Sequence, residues 1–267
     1  MQEQLPTDHS FAVCAYKDSP YLEKCLSSVV EQTKKTNVIL CTPTPTDKIR
    51  GLAEKYGVPL FINPDSNSDM QGSWNFAVSC ASTAYVTVCH QDDYYSPEYF
   101  ETIEEHLTDD LLFVHTAYTT VFTDKNGNST VKNSKNIIFK RMIHALFARQ
   151  WQQDKIFFKR WDMRFGNSVC CPTCTYNKNN LEQPIFVSKL RHGVDWDLYI
   201  TLASSKGRIG YVRKPVAFKR IHVDAATNQD VASGVRARED IELYSRLWPK
   251  VFARLLQKVL LLFYNAG

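Results

Sequence analysis

In the first half of the chain, apolar positions come in short blocks separated by polar, proline-bearing turns. Phe11 to Tyr16 is one uninterrupted apolar block, the pattern of a strand buried on both faces. Ser19-Pro20 then opens a helix, with Leu22, Leu26, Val29 and Val30 at helical spacing. Further strands are expected at Asn37 to Cys41, Val58 to Ile62 and Ala84 to Cys89. They end in Thr42-Pro43-Thr44-Pro45, Asn63-Pro64 and His90-Gln91-Asp92-Asp93 respectively. Between them lie helical patterns at Asp47 to Tyr56, stopped by Gly57, and at Ser73 to Ala81. Another begins at Pro97, where Phe100, Ile103 and Leu107 share a face. This alternation predicts an α/β fold built on a doubly wound, mostly parallel sheet. Ligands of such a sheet gather at the carboxyl ends of its strands.

The second half is less regular. Leu112 to Thr123 reads as a strand, followed by a hairpin-type turn at Lys125-Asn126-Gly127-Asn128 leading into Val131. Residues 132 to 166 are basic, aromatic and partly helical in pattern. A helix is expected at Val194 to Ala203, short strands at Ile209 to Val212 and Val216 to His222, and helix from Ala237 onward. Without a repeat or a Gly/Ser linker, one domain with a C-terminal elaboration is expected.

Composition narrows the class. At 267 residues, with 44% hydrophobic and 22% charged positions, the chain is an ordinary globular protein and neither disordered, collagen-like nor a disulfide scaffold. The net charge of +4 suits an anionic small molecule or an acidic membrane surface, and is too small to argue for nucleic acid. Met1 to Ser10 has no signal-peptide pattern, and no run reaches the ~20 apolar residues of a membrane span. Val251 to Tyr264, interrupted by Arg254, Gln257 and Lys258, reads as an amphipathic helix. Eight cysteines without an export signal point to a reducing cytosol. Cys170-Cys171-Pro172-Thr173-Cys174 lacks the second ligand pair of a structural zinc site and is expected to be loop packing.

Three segments could carry chemistry. Asp92-Asp93 directly follows a buried strand, where two carboxylates repel unless a cation or proton intervenes, and hard oxygen donors suit Mg²⁺ or Mn²⁺. Asp195 and Asp197 stand at the start of a helix, where a carboxylate can serve as general base or simply cap the helix. Lys219-Arg220-Ile221-His222 offers a guanidinium for phosphate and an imidazole for a metal shell, although a histidine there is as readily a core residue.

Taken together, and in this order, these segments resemble glycosyltransferase family 2 with the GT-A fold, from Phe11 to about His222. The opening strand with Tyr16 and the helix Tyr21 to Val29 match the family's entry segment. Gly72-Ser73-Trp74-Asn75-Phe76-Ala77 matches its G-x-x-x-N-x-x-A helix. Ala84 to Tyr94 matches the strand carrying its D-x-D motif, Val194-Asp195-Trp196-Asp197 its later E-D segment, and Arg220-Ile221-His222 its Arg-x-His. His90 replaces the usual first Asp, Thr42-Pro43-Thr44 replaces the acidic residue after the second strand, Trp74 stands for an Arg and Val194 for a Glu.

The resemblance implies a GT-A (Rossmann-like) catalytic domain over residues 1–225. Residues 1–110 would form a nucleotide-binding half, 111–225 an acceptor half and 226–267 a helical extension. Asp195 would be the catalytic base. Ala15, Tyr16, Thr42, Trp74, Asn75, Gln91, Asp92 and Arg220 would face the nucleotide. Asp92, Asp93 and His222 would hold Mn²⁺ or Mg²⁺. The implied reaction moves a sugar, with inversion, from a UDP-sugar or other nucleotide-diphosphate sugar to a hydroxyl of a glycan or lipid-linked acceptor. The setting would be bacterial polysaccharide biosynthesis in the cytoplasm. By its own residues, the basic, aromatic tract Lys140 to Arg164 reads either as a partly buried helix and loop with a solvated cationic face or as a site of peripheral attachment to the inner membrane face. Two alternatives remain. A nucleotide-sugar nucleotidyltransferase would show a Gly-rich basic loop after the first strand, where this chain has Ala15 to Pro20. A catalytically degenerate scaffold is suggested by His90 and Val194, and opposed by Asp92, Asp195 and His222.

Overall fold

A computed structural model describes residues 8–132, 135–222 and 234–265. The first half follows the expected alternation: β1 (His9–Cys14), α1 (Leu22–Val30), β2 (Asn37–Thr42), α2 (Asp47–Tyr56), β3 (Leu60–Ile62), α3 (Met70–Cys80) and β4 (Tyr85–His90). Strand β1 lies between β2 and β4, and β3 extends the edge, all in parallel. Local chemistry sets the helix ends. Thr46 accepts a hydrogen bond from the Ile49 N–H and opens α2, and Gly57 closes it at φ 63°, a left-handed conformation that costs glycine little. Asp69 caps α3 through the Gly72 N–H, so that helix starts three residues before the apolar pattern does.

The second half completes a mixed sheet. It contributes β5 (Tyr94–Tyr95), α4 (Tyr99–Glu104), β6 (Leu111–Thr123), β7 (Ser129–Val131), α5 (Lys135–Phe147), α6 (Ile156–Asp162), β8 (Cys174–Asn177), α7 (Val194–Ala203) and β9 (Arg208–Ile221). Helices α8 (Val235–Leu247) and α9 (Lys250–Asn265) follow. The strand order is β3-β2-β1-β4-β8-β6-β9-β5, with β7 beside β6. Strand β8 runs antiparallel to both β4 and β6, β9 is parallel to β6, and β5 is antiparallel to β9.

Three expectations need correction. The two short strands at 209–212 and 216–222 are one strand, β9, whose register against β6 shifts at Ala117↔Pro215. The exposed Arg213-Lys214-Pro215 looks like a turn but sits on that irregularity, where a proline is tolerated. The cysteine segment is only partly loop, because Cys174 begins β8 and is fully buried. The C-terminal helix is two helices, parted at Trp248 and Pro249. The expected boundary at 225 lies outside the described residues.

Apolar clusters fill both faces of the sheet. One packs Ala77, Val78, Trp196, Tyr199 and Leu243 from α3, α7 and α8, and the other packs Leu26, Ile49 and Phe100 from α1, α2 and α4. This leaves the carboxyl ends of β1, β2 and β4 as the open edge.

Candidate functional site

The site begins where β1 and β4 run out. Side-chain and main-chain groups of Gln91 and Tyr16 exchange two hydrogen bonds (Tyr16 N–H to Oε1, 2.9 Å; Nε2 to Tyr16 carbonyl, 3.1 Å), and the Tyr16 ring remains 49% exposed. Lys17 is held at φ 52°, unusual for a residue with a side chain, and its N–H donates to Thr44 Oγ1 at 2.6 Å. Thr42 is buried, and its hydroxyl accepts the Thr44 N–H. Ala15, also buried, donates its N–H to the Cys41 carbonyl. Of these residues Tyr16 offers a free surface, while Ala15, Thr42 and Gln91 shape the loop beneath it.

Two further expected nucleotide contacts are taken up inside the protein. Trp74 is 5% exposed and stacks on His90, ring centroids 4.9 Å apart and 12° from parallel. Asn75 clasps the Phe186 backbone, donating to its carbonyl at 2.7 Å and accepting its N–H at 2.9 Å. His90, where the family carries an acid, is therefore wedged against an indole. Burial, with a smaller effect from Lys219, lowers its pKa to about 3, so it stays neutral.

Strand pairing brings the remaining groups together across more than a hundred residues. The register Tyr94↔Phe218, reinforced by stacking of the two rings 4.6 Å apart, lays the chain ahead of β5 alongside the end of β9. Asp92 and Asp93 consequently part ways. Asp92 keeps a third of its side chain exposed, and its Oδ2 stands 3.4 Å from His222 Nε2. Asp93 is 6% exposed and accepts the Arg220 N–H at 2.8 Å. Burial, opposed by Lys219 and Arg220, raises the Asp93 pKa to about 7. Asp93 therefore braces the strand end, while the partly exposed Asp92 meets the largely buried His222. Arg220 is likewise a brace: its guanidinium lies over Tyr21 and Tyr94, and Nε donates to the Asp92 carbonyl at 3.0 Å.

Ligands at right angles on a small divalent ion with bonds of about 2.1 Å stand about 3 Å apart. The 3.4 Å between Asp92 and His222 meets that requirement with a slight closure. A carboxylate oxygen and an imidazole nitrogen are both ligand types that a divalent ion accepts.

Asp195 occupies the first turn of α7, and sequence reasoning missed its partner. Asn167 Nδ2 donates to Asp195 Oδ2 at 2.9 Å, and the Trp196 N–H donates to Oδ1 at 2.8 Å. One carboxylate oxygen is thus turned by a side chain 28 positions upstream, which no local motif reveals. Lys219 was also missed as a site residue. Its pKa is raised by Cys170 first, against burial, and then by Asp93 and Asp195. Burial pushes the Cys170 thiol up to about 11. Buried Lys219 lies within electrostatic reach of both the Asp92–Asp93 corner and the Asp195 corner, with Arg236 opposing.

Elsewhere, His144 is held by Asp162 (Nδ1 to the two oxygens, 2.9 and 3.0 Å), with His115 beside it. One ligand atom from each of the three lies within 4.8 Å of the others, and all three residues are buried. Lys140 and Arg141 line the small cavity next to His144, a positive setting that opposes a cation there.

A mixed, mostly parallel sheet flanked by helices is the architecture of the GT-A glycosyltransferases. The chain belongs to glycosyl transferase family 2, whose family model matches residues 10–179. No curated protein matches the sequence. Among solved structures, the mannosyltransferase PcManGT of Pyrobaculum calidifontis, in complex with GDP-Man and Mn²⁺, superposes with a TM-score of 0.60 at 11% identity, over 97% of this chain and 75% of its own. TarS 1-349 of S. aureus in complex with UDP-GlcNAc gives 0.59 at 18%, over 92% and 72%. Glucosyl-3-phosphoglycerate synthase of Mycobacterium tuberculosis, with Mn²⁺, UDP and glucosyl-3-phosphoglycerate, gives 0.57 at 14%, over 90% and 79%. Against another TarS structure the chain spans 38% of the length.

Proposed function

We propose that the protein transfers a sugar from a UDP-sugar to a hydroxyl of a glycan or lipid-linked acceptor, with inversion, at the inner face of a membrane. The observation that carries this reading is the Asp92–His222 pair, 3.4 Å apart at the strand ends. Structural neighbours bound to UDP, UDP-GlcNAc or GDP-Man, two of them with Mn²⁺, support it.

Asp195, oriented by Asn167, takes the proton of the acceptor hydroxyl. The oxygen's electron pair forms the new bond to the anomeric carbon as the bond to the diphosphate oxygen breaks, and the nucleoside diphosphate leaves with that pair. Attack opposite the leaving group inverts the centre. A divalent ion held by Asp92 and His222 would neutralise charge on the diphosphate. Lys219 supplies a fixed positive charge within reach of the two corners, and Tyr16 offers its exposed ring to the base.

The test is turnover by Asp195→Asn. General-base catalysis contributes about 10²–10⁴-fold, and a loss of that size is expected while UDP binding persists. Near-normal turnover would remove Asp195 from the role. A second reading, a silent scaffold, draws on His90 at the acid position and Asp93 turned inward; it predicts no turnover and no UDP binding in the unaltered protein.

A further inference from the structure

The molecule is apolar on the outside in one region only lightly explained by its core. Helix α5 buries Ile137, Ile143 and His144, yet Ile138, Met142 and Leu146 on its other side are each more than half exposed. Their spacing of four makes a single stripe along that helix. Trp151 and Phe157, in the connection to α6 and in α6 itself, are 57% and 62% exposed. Helix α9 packs on α5 and repeats the arrangement: Ala253 and Gln257 face inward, while Val251, Phe252 and Leu255 are 80%, 56% and 59% exposed. Soluble monomers rarely leave bulky apolar side chains grouped in this way without a use for them.

Charge identifies the occupant. Arg149, Lys155, Lys250, Arg254 and Lys258 are exposed among these apolar positions. In residues 135–165 the acids are Asp154 and Asp162; Asp162 is buried against His144, and Asp154 is paired with Lys155 at 3.4 Å. Residues 250–265 contain no acid. Among the described residues no helix is long and apolar enough to cross a membrane. Bulky apolar side chains interleaved with an excess of cations suit the boundary of an anionic bilayer, where apolar groups enter the acyl margin and cations meet phosphate headgroups.

We infer that the outward stripe of α5, the Trp151–Phe157 segment and the outer face of α9 form a docking surface for an anionic lipid bilayer. This deepens the membrane-face part of the function proposed above and names the surface that performs it. The surface also lies next to the chemistry. Trp161, Phe165 and Trp248 cluster behind it, and Asn167, two residues beyond Phe165, holds Asp195. A bilayer at this surface would present headgroup-borne hydroxyls on the side of the molecule that carries the base.

The test is co-sedimentation of the full chain with vesicles of phosphatidylcholine alone and of phosphatidylcholine mixed with phosphatidylglycerol. UDP binding and the melting transition are followed on the same samples. Binding to the mixed vesicles, weakened by added salt, is expected. Lys250→Gln with Arg254→Gln should lower it about 25-fold, taking each basic residue as about fivefold. Met142→Glu with Leu146→Glu should lower it at least tenfold, and both variants should melt and bind UDP as the parent does. Failure to bind the mixed vesicles, or equal binding to both kinds, would overturn the inference while leaving the donor site untouched. A stable dimer abolished by Met142→Glu with Leu146→Glu would overturn it in favour of a second copy as the occupant. Loss of UDP binding in the unaltered protein would instead count against the donor-site reading.

Discussion

The protein contains two histidine–aspartate pairs built from the same side chains and put to opposite uses. His144 and Asp162 meet at 2.9 Å with each side chain 4% exposed, sealed between α5 and α6. Asp92 and His222 stand 3.4 Å apart with the carboxylate a third exposed, at the open edge of the sheet. In the sealed pair the carboxylate's partners are satisfied from within, and removing one would leave a buried polar group without its hydrogen bond. In the open pair the Asp92 carboxylate is reachable from solvent, with the His222 imidazole behind it. Pairing alone therefore says little about function; solvent access and surroundings decide whether such a pair clamps the fold or binds a ligand.

The comparison can be broken most decisively at the carboxylates. Asp162→Asn should cost stability of about 1–3 kcal/mol, the usual result of weakening a buried hydrogen-bonded pair, while the folded fraction binds UDP as before. Asp92→Asn should leave stability within about 0.5 kcal/mol, as for an ordinary surface change. Paired denaturant titrations check both. Equal destabilisation by the two substitutions would erase the distinction.

The next largest effect concerns pH. His9 is fully buried between Thr36 and Thr87 hydroxyls, and burial lowers its pKa from 6.5 to about 3. The unfolded chain takes up a proton below pH 6.5 that the folded chain refuses, so stability falls as pH drops through the window from 6.5 toward 3. By pH 5 this amounts to about 2 kcal/mol, at about 1.4 kcal/mol per pH unit. His90 acts in the same direction. Asp93, with its pKa raised to about 7, acts in the opposite one, because its folded form binds a proton that the unfolded carboxylate has lost. His9→Gln should flatten the decline of stability between pH 6.5 and 5, and Asp93→Asn should steepen it. Unfolding titrations across that range give both slopes.

Smaller effects separate bracing residues from those at the chemistry. Asn75→Ala removes both hydrogen bonds to Phe186 and should cost about 1–3 kcal/mol of stability by leaving backbone groups unpaired. Asn167→Ala should lower kcat about tenfold through misorientation of Asp195, with KM for the donor unchanged and the acid limb of the pH–rate profile displaced. An altered donor KM with an unmoved profile would make Asn167 merely structural.

Much of the fold was legible because strand ends in this class of sheet are marked by proline and asparagine turns. Thr42-Pro43 and Asn63-Pro64 fall at such ends, and the polar run His90 to Asp93 marks the end of β4. Strand β8 was not legible: four residues buried on all sides carry no alternation, and Cys174 was read with the preceding cysteines as loop packing. Strand β9 was split because the exposed Arg213-Lys214-Pro215 has the composition of a turn. At the site, residue types were visible but their division of labour was not. Adjacent Asp92 and Asp93 separate into a partly exposed carboxylate and an inward brace only through the β5–β9 pairing. Trp74 and Asn75 find partners in His90 and Phe186, and Asn167 reaches Asp195 across 28 positions. Such choices depend on contacts between distant segments, which periodicity does not encode.

The central claim is that the open pair, and not the sealed one, serves the nucleotide. Calorimetric titration of UDP with Mn²⁺ and with EDTA, into the unaltered protein, Asp92→Ala and Asp162→Asn, tests it directly. Binding that requires both the metal and Asp92, and that survives in folded Asp162→Asn, is the predicted result. Metal-dependent binding that persists in Asp92→Ala and vanishes in folded Asp162→Asn would contradict it.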